Sequence, residues 1–293
     1  MREPVECSFY QELENGLVRC RLCPHNCIIA EGKTGICQVR RNTGGKLIAE
    51  SFGHPVAVAV DPIEKKPLNW YQPGSKTFSI GTCGCNFSCR FCQNDTISRR
   101  GYNRTPSANY LAPQQVVDLA KEYGCQSVAF TYNEPTVFIE YAMATAHLAR
   151  LAGLGTVLVS NGFINPEPRA EFYPLIDAAN IDLKGDDRFY RGLCGGNLET
   201  VLESCAFFKF ECNGHLELTT LVIPGENDRD DVIGPLLDTV AERLGTDTPL
   251  HFSAYFPAGG FTAPPTPPET LYRIRNLAAG KGFTRIELGN LRT

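Results

Sequence analysis

The feature that most constrains the fold is a regular alternation of short apolar segments and longer helix-like segments after residue 75. The short segments are rich in β-branched residues and have the length of strands. They lie at 76–80, 127–130, 156–160, 180–183, 216–222 and 250–253, with a last one at 285–288. The helix-like segments lie at 113–123, 137–153, 166–177, 198–210, 231–244 and 268–281. This alternation predicts an α/β fold whose parallel strands are joined by right-handed helical crossovers.

Glycine and polar residues follow each of the first six predicted strands. These segments are 81–85, 131–135, 161–162, 184–185, 223–228 and 254–257. In parallel α/β folds such segments meet at one edge of the sheet, where active sites form. Residues 76–293 are therefore predicted to form a partial (β/α)6 TIM-like barrel with its site at the C-terminal ends of the strands. Residues 1–75 lack the alternation and contain turn-forming glycines, so we interpret them as a small, irregular, cysteine-rich N-terminal appendage.

The composition narrows the function classes. The net charge is −4 and no basic stripe is present, so no nucleic-acid partner is predicted. No apolar run approaches the ~18 residues of a membrane span, and the polar, acidic first residues do not resemble a signal peptide. We therefore expect a cytoplasmic protein, in which thirteen cysteines favour metal or catalytic roles over disulfides. Eight of these cysteines fall in two tight groups, at 20–37 and 83–92.

The second group contains a C-x3-C-x2-C array formed by Cys85, Cys89 and Cys92. Soft thiolate donors at such short spacing are typical of iron–sulfur ligation. Three ligands would leave one iron of a four-iron four-sulfur (4Fe–4S) cluster open to a chelating small molecule, whereas a structural zinc site needs a fourth ligand. Cys83 is the candidate for that ligand, but Gly84 is expected to bend the chain and turn Cys83 away.

The array, with the aromatic Phe91 before its last cysteine, resembles the signature of the radical S-adenosylmethionine (SAM) superfamily. The resemblance implies that the three cysteines hold a 4Fe–4S cluster whose open iron binds SAM. It also implies that reductive cleavage of SAM yields a 5′-deoxyadenosyl radical, with an electron donor of the flavodoxin or ferredoxin type. The partial barrel predicted above agrees with the superfamily fold.

Four further residues at predicted strand ends are candidate SAM contacts. Glu134 in Thr-Tyr-Asn-Glu-Pro lies where the superfamily has a glutamate that contacts the SAM amine, although Glu-Pro is also a common helix start. Asn161 in Ser-Asn-Gly, and Asp182 and Lys184 in Ile-Asp-Leu-Lys-Gly, resemble segments of glycyl-radical-enzyme activases. That resemblance implies a charge-assisted contact between the lysine and the SAM carboxylate. We interpret His251, on the sixth strand, as a structural residue.

The first cysteine group has the spacing C-x2-C-x3-C-x9-C and consists of Cys20, Cys23, Cys27 and Cys37. Four thiolates at this spacing can build a closed site, and His25 could replace one of them. A metal would also stabilise a glycine-rich appendage with little apolar content. We therefore predict a second metal site, zinc or a second iron–sulfur cluster, with a structural or electron-relay role. Reduced, unliganded thiols are the alternative.

Segments from about Cys20 to Asn290 resemble the radical SAM enzymes of the AmmeMemoRadiSam system, which are relatives of pyruvate formate-lyase activating enzymes. They include 61–68 (DPIEKKPL), 91–94 (FCQN), 132–135 (YNEP) and 264–267 (PPTP). This resemblance implies Memo-like and AMMECR-like partners and leaves the substrate undefined. The predicted function is hydrogen abstraction or radical transfer. One form of it is the activation of a glycyl radical enzyme, in which case the substrate is a protein. The alternative is a non-catalytic iron–sulfur electron-transfer protein.

Overall fold

The computed structural model describes residues 3–102, 110–258 and 260–291. Its strands form two small N-terminal sheets and one large sheet. The small sheets contain β1 (Tyr10–Glu12), β2 (Val18–Cys20), β3 (Ile28–Ile29), β4 (Arg40–Thr43) and β5 (Lys46–Ala49). The large sheet contains β6 (Ala57–Pro62), β7 (Lys76–Gly81), β8 (Ser127–Phe130), β9 (Gly155–Ser160), β10 (Ala178–Asp182), β11 (His215–Val222), β12 (Leu250–Ala254) and β13 (Ile286–Gly289).

Helices connect the successive parallel strands of the large sheet. They are α1 (Asp95–Ser98), α2 (Pro113–Glu122), α3 (Ile139–Leu151), α4 (Pro166–Phe172), α5 (Asp187–Phe189), α6 (Leu198–Ala206), α7 (Asp230–Leu244) and α8 (Pro268–Gly280). Two π-helical turns, Tyr190–Cys194 and Phe207–Glu211, continue α5 and α6. Proline opens α2, α4 and α8, because its fixed φ suits a first turn whose N–H groups have no helical partner.

The strands of the large sheet follow one another in chain order, from β6 at one edge to β13 at the other. All neighbours from β7 to β13 are parallel, which confirms the predicted α/β fold. β6 instead pairs antiparallel with β7, with Val58 opposite Ile80. The two edge strands are not paired with each other, so the described residues form an open, partial barrel.

The N-terminal region is more closely joined to the barrel than the sequence suggested. β6 lies within residues 1–75 but belongs to the barrel sheet, so the boundary predicted at residue 75 does not coincide with the start of that sheet. One hydrophobic core includes Phe9 and Val39 together with Phe130 of β8 and Leu218 of β11. Burial of such apolar surface against the barrel stabilises both parts together.

A buried ion pair also joins the two parts. The guanidinium of Arg40 on β4 makes two hydrogen bonds of 2.9 Å to the carboxylate of Glu140 on α3. Their side chains are 1% and 7% exposed. The amide of Ser8 donates to the same carboxylate at 3.0 Å. These contacts fix the N-terminal region against α3 on the outside of the barrel.

The opposite end of the barrel from the predicted site is closed by a buried carboxylate. Glu217 of β11 accepts hydrogen bonds from His215 and His251, at 2.8 and 2.6 Å, and from the amides of Asn69 and Trp70. Burial alone would raise the pKa of Glu217, but the hydrogen bonds from both histidines outweigh it and lower the pKa to about 2. His251 therefore anchors the segment beneath the barrel, in agreement with its interpretation as a structural residue.

No helix within the described ranges combines the length and the apolar character that are needed to cross a bilayer.

Candidate active site

A cavity of about 450 Å³ lies at the C-terminal ends of the parallel strands. Its wall includes every residue that the sequence placed at the barrel site, namely Cys85, Cys89, Phe91, Cys92, Glu134, Asn161, Asp182 and Lys184. They follow β7, β8, β9 and β10, except Asp182, which is the last residue of β10, and parallel strands bring such positions to one edge. The structure thus brings these side chains together, while their individual roles stay predictions.

The loop that carries the three cysteines is held against the π-helical turn after α5. The amide of Ser88 donates to the carbonyl of Cys194 at 2.8 Å, and the amide of Arg90 donates to the carbonyl of Leu193 at 3.1 Å. The thiol of Cys194 also hydrogen-bonds to Cys89, and this bond lowers the pKa of Cys89 in spite of burial. Sequence reasoning missed Cys194, because a lone cysteine far along the chain carries no spacing signal.

The donor set of this loop fits an iron–sulfur cluster. Cys85 Sγ accepts a hydrogen bond from the amide of Phe87 at 3.3 Å, and Cys92 accepts one from the amide of Asn94. Amide hydrogen bonds to sulfur stabilise thiolate ligands and tune the clusters that they hold. Three soft thiolate donors in the wall of one cavity therefore suit an iron–sulfur cluster.

The chain bends at Gly84, as the sequence predicted. Gly84 has φ +82°, and the side-chain amide of Asn133 donates to the carbonyls of Cys83 and Gly84, both at 3.0 Å. Cys83 is 5% exposed and is not part of the cavity wall. A Cβ atom at Gly84 would lie 2.3 Å from the carbonyl oxygen of Cys37, so the N-terminal region packs directly on the cysteine loop.

Replacing Gly84 with alanine is expected to destabilise the protein more than the same change at Gly124. Both residues have positive φ, where a Cβ costs about 1–2 kcal/mol, but no atom lies within 4 Å of a Cβ at Gly124. The contact with Cys37 should add about 1–3 kcal/mol, the usual cost of overpacking. Chemical denaturation of the two variants measures the free energy of unfolding. An equal decrease in both variants would show that the loop at Gly84 is not in tight contact with the N-terminal region.

Glu134 and Asn161 form a buried polar connection between β8, β9 and the cysteine loop. Glu134 Oε1 accepts from the Thr136 amide at 2.9 Å and the Ser160 hydroxyl at 2.8 Å, and Oε2 accepts from the Asn161 amide at 2.8 Å. Burial raises the pKa of Glu134 in spite of these donors. A carboxylate has about four acceptor positions, so one on Oε2 remains for a cationic ligand.

The side chain of Asn161 is itself engaged with the loop. Its amide nitrogen donates to the side chain of Asn86 at 2.8 Å and lies 3.8 Å from Cys85 Sγ, and its oxygen accepts from the amide of Phe163 at 2.9 Å. Asn161 therefore orients the residue beside the first cysteine and also lines the cavity.

Lys184 is a largely buried cation at the cavity wall. Its ammonium donates to Asp182 at 2.6 Å, and its side chain is only 14% exposed. Burial would lower the pKa of Lys184, but the charge of Asp182 outweighs burial and holds the pKa well above its usual value. The backbone at Lys184 is fixed by Tyr190, whose hydroxyl accepts from its amide at 3.0 Å, and by Asn227, which donates to its carbonyl at 2.7 Å. This position suits recognition of an anionic group.

A second polar group at the cavity was not identified from the sequence. The hydroxyl of Tyr132 and the ammonium of Lys66 both donate to Asp61, at 2.6 and 2.7 Å, and the ammonium lies 4.4 Å from the centre of the Tyr132 ring. Lys66 and Tyr132 line the cavity. These hydrogen bonds, with one from Lys65, outweigh burial and keep the pKa of Asp61 below its usual value. The segments 61–68 and 132–135 carried a family resemblance, which was the signal available for this group.

The fold and the thiol-lined cavity together define a partial-barrel protein with an iron–sulfur site beside a small-molecule pocket. Residues 79–233 match the radical SAM superfamily. An uncharacterized protein of Methanocaldococcus jannaschii is 41% identical over 287 residues, which cover 98% of this chain and 85% of that protein. The chain therefore belongs to the radical SAM superfamily, and this membership implies a 4Fe–4S cluster and SAM as cofactors.

Two other similarities are more distant. A second Methanocaldococcus jannaschii protein, provisionally named a glycyl-radical enzyme activating enzyme, is 23% identical over 186 residues, or 62% of this chain and 68% of that protein. The crystal structure of a radical SAM methyltransferase from Sphaerobacter thermophilus shares the fold with a TM-score of 0.56 at 15% identity, over 75% of this chain and 68% of that one.

Proposed function

We propose that this radical SAM enzyme cleaves SAM reductively and uses the resulting radical for hydrogen abstraction or radical transfer, an oxidoreductase-like activity. When bound at Cys85, Cys89 and Cys92, the cluster would supply the electron that breaks a sulfur–carbon bond of SAM to give methionine and a 5′-deoxyadenosyl radical. The observation that carries this proposal is that one cavity joins the three thiols to Glu134 and Lys184.

The charges of the cavity wall match the two ends of an amino acid. Glu134 Oε2 has an acceptor position left for the SAM ammonium, and Lys184 can donate to the SAM carboxylate. Phe91 is 3% exposed and packs on Phe189 with 5.3 Å between ring centres, so it forms an apolar wall beside Cys92. These residues bind and orient the cofactor, and the apolar wall shields a radical from water.

The proposal is tested by a reconstitution experiment. Protein reconstituted with iron and sulfide without oxygen, then mixed with dithionite and SAM, is expected to produce 5′-deoxyadenosine and methionine in equal amounts, with buffer or protein C–H groups as the hydrogen-atom donor when no substrate is present. Chromatography with mass detection measures both products. A protein that holds its full cluster but leaves SAM intact would favour the electron-transfer alternative over the enzyme.

Replacing Lys184 with alanine is expected to weaken SAM binding by about 1.5–3 kcal/mol, the range for a hydrogen bond to a charged group. The cause is loss of a preoriented cation at the SAM carboxylate. Titration of the reconstituted protein with SAM, without reductant, gives the affinity. Lys121, an exposed residue of α2, is the matched control, and its replacement should leave SAM affinity unchanged. Wild-type affinity in the Lys184→Ala variant would remove Lys184 from the SAM site.

Activation of a glycyl radical enzyme is the more specific form of the proposal. It is supported by the similarity to the relative provisionally named an activating enzyme and by the segments around Asn161 and Lys184. The protein substrate would then acquire a glycyl radical, which electron paramagnetic resonance (EPR) detects. An electron donor of the flavodoxin or ferredoxin type and Memo-like and AMMECR-like partners belong to the same proposal. Co-purification of each candidate with the reconstituted enzyme tests them.

A further inference from the structure

A second group of thiols lies outside the cavity, in the N-terminal region. Cys20, at the end of β2, and Cys23 and Cys37, in the turns that follow, are buried in one core, and Cys27 packs against it. A Cβ atom at Gly35, two residues before Cys37, would lie 3.6 Å from Cys27 Sγ, and the amide of Asn26 donates to the carbonyl of Cys23 at 3.0 Å. The backbone brings them together, because the amide of Cys20 donates to the carbonyl of Cys27 at 2.9 Å across the β2–β3 pair. Residues spread over eighteen positions of the sequence thus face one small volume.

Three of the four sulfur atoms of this group share a backbone contact with two of the three cavity thiols. Cys20, Cys23 and Cys37 each accept a hydrogen bond from the amide two residues further along the chain. Cys85 and Cys92 do the same in the active-site loop. Such amide donors stabilise the thiolate form that a metal ligand needs, against the burial that disfavours it.

Two turns in strained backbone conformations produce this arrangement. Asn26, just before Cys27, has φ +43°, and Gln38, just after Cys37, has φ +65°. Left-handed conformations in residues other than glycine are unfavourable and persist where the surrounding structure requires them. Here they turn the chain so that the cysteines on either side face the same volume.

The position of the four thiols favours one of the two metals that the sequence left open. They lie in the segment that packs on the active-site loop, because a Cβ atom at Gly84 would lie 2.3 Å from the carbonyl oxygen of Cys37. Zinc has no redox chemistry, whereas an iron–sulfur cluster can exchange electrons with a cluster beside it.

We propose that Cys20, Cys23, Cys27 and Cys37 bind a second iron–sulfur cluster, directly behind the active-site loop. The two sites share a wall. His25 Nε2 donates to the carbonyl of Asn86, the neighbour of Cys85, at 2.8 Å. The Cys37 carbonyl packs against Gly84, the residue on the other side of Cys85. This site is separate from the SAM chemistry proposed above and does not depend on it.

The iron content of three proteins tests the proposal. After anaerobic reconstitution, the wild-type chain is expected to hold about eight iron atoms and the triple variant Cys85→Ala/Cys89→Ala/Cys92→Ala about four, because each site binds one four-iron cluster. The variant Cys20→Ser/Cys37→Ser should also hold about four. Elemental analysis for iron, zinc and sulfide gives these values, and the absorption of the triple variant should show the sulfide-to-iron bands of a cluster.

Cys7 provides the matched control, because it is buried beside Cys20 and Cys37 but lies against Arg40 and Glu140. Adding Cys7→Ala to the triple variant should leave its iron content unchanged, and loss of iron would overturn the assigned ligand set. Zinc instead of iron in the triple variant, or iron content near zero, would overturn the cluster. Because the triple variant cannot cleave SAM, neither result depends on whether the proposed enzyme activity is correct.

EPR spectroscopy tests the position of the second cluster. With both clusters reduced by dithionite, the wild-type spectrum should be broadened relative to the sum of the spectra of the two variants, since neighbouring unpaired spins interact. A wild-type spectrum equal to that sum would contradict the shared wall.

Discussion

Replacing Cys89 with alanine is expected to lower the rate of 5′-deoxyadenosine formation by more than about 100-fold, since even outer partners of metal ligands affect activity 10–100-fold. Cys89 lies between the other two cavity cysteines in sequence and receives a hydrogen bond from Cys194. Its loss removes one of three thiolates and leaves the cluster without a complete set of ligands. Product formation with dithionite and SAM, together with iron content, measures the effect.

Cys212 is the control for this experiment. It lies after α6 in the turn that precedes β11, is partly exposed, and does not line the cavity. The Cys212→Ala variant should keep wild-type iron content and product formation. A Cys89→Ala variant that formed 5′-deoxyadenosine at the wild-type rate would show that the cavity thiols do not hold the cluster that cleaves SAM.

Replacing Arg40 with methionine is expected to reduce the free energy of unfolding by about 3–5 kcal/mol, the range for breaking a buried ion pair. Methionine keeps much of the length of the side chain but leaves the Glu140 carboxylate, 7% exposed, with the Ser8 amide as its remaining partner. The pair joins β4 to α3, so the loss should appear as a weaker attachment of the N-terminal region to the barrel. Urea denaturation of the metal-free protein measures it.

Two further variants show whether the loss of stability comes from breaking this ion pair or follows from any substitution in the N-terminal region. Lys46→Ala removes an exposed partner of Glu6 in the same region and should change stability little, because exposed pairs contribute little. Adding Glu140→Gln to Arg40→Met should recover part of the loss, because the unpaired buried charge is removed. A loss below about 1 kcal/mol for Arg40→Met would show that the pair does not stabilise the attachment.

The contacts of Gly84, His25 and Arg40 have a common consequence for the site. The N-terminal region presses on the cysteine loop at Gly84 and bonds to it through His25, while Arg40 fixes the region to α3. The shape of the loop that carries Cys85 therefore depends on residues more than forty positions earlier in the chain. Changes in the N-terminal region are expected to alter cluster retention at the cavity even when no cavity residue is touched.

The sequence by itself determined the order and type of the barrel elements and the edge of the sheet where the site lies. Strand and helix periods are local properties, and parallel strands place their carboxyl ends together whatever the details of packing. The three cysteines needed only their spacing to be found. Glu134, Asn161 and Lys184 could be identified from their position after a strand together with a family resemblance. All three line the cavity.

Tertiary structure alone decided which remote residues meet. β6 has the alternating pattern of a strand, but only its pairing with β7 shows that it belongs to the barrel. Three of the contacts at and below the site join residues that are 34 or more positions apart: Cys194 with Cys89, Tyr132 with Asp61, and His251 with Glu217. Lys66, which also bonds to Asp61, is close to it in the sequence. Such contacts depend on how helices and strands pack, and neither spacing nor periodicity along the chain encodes that packing.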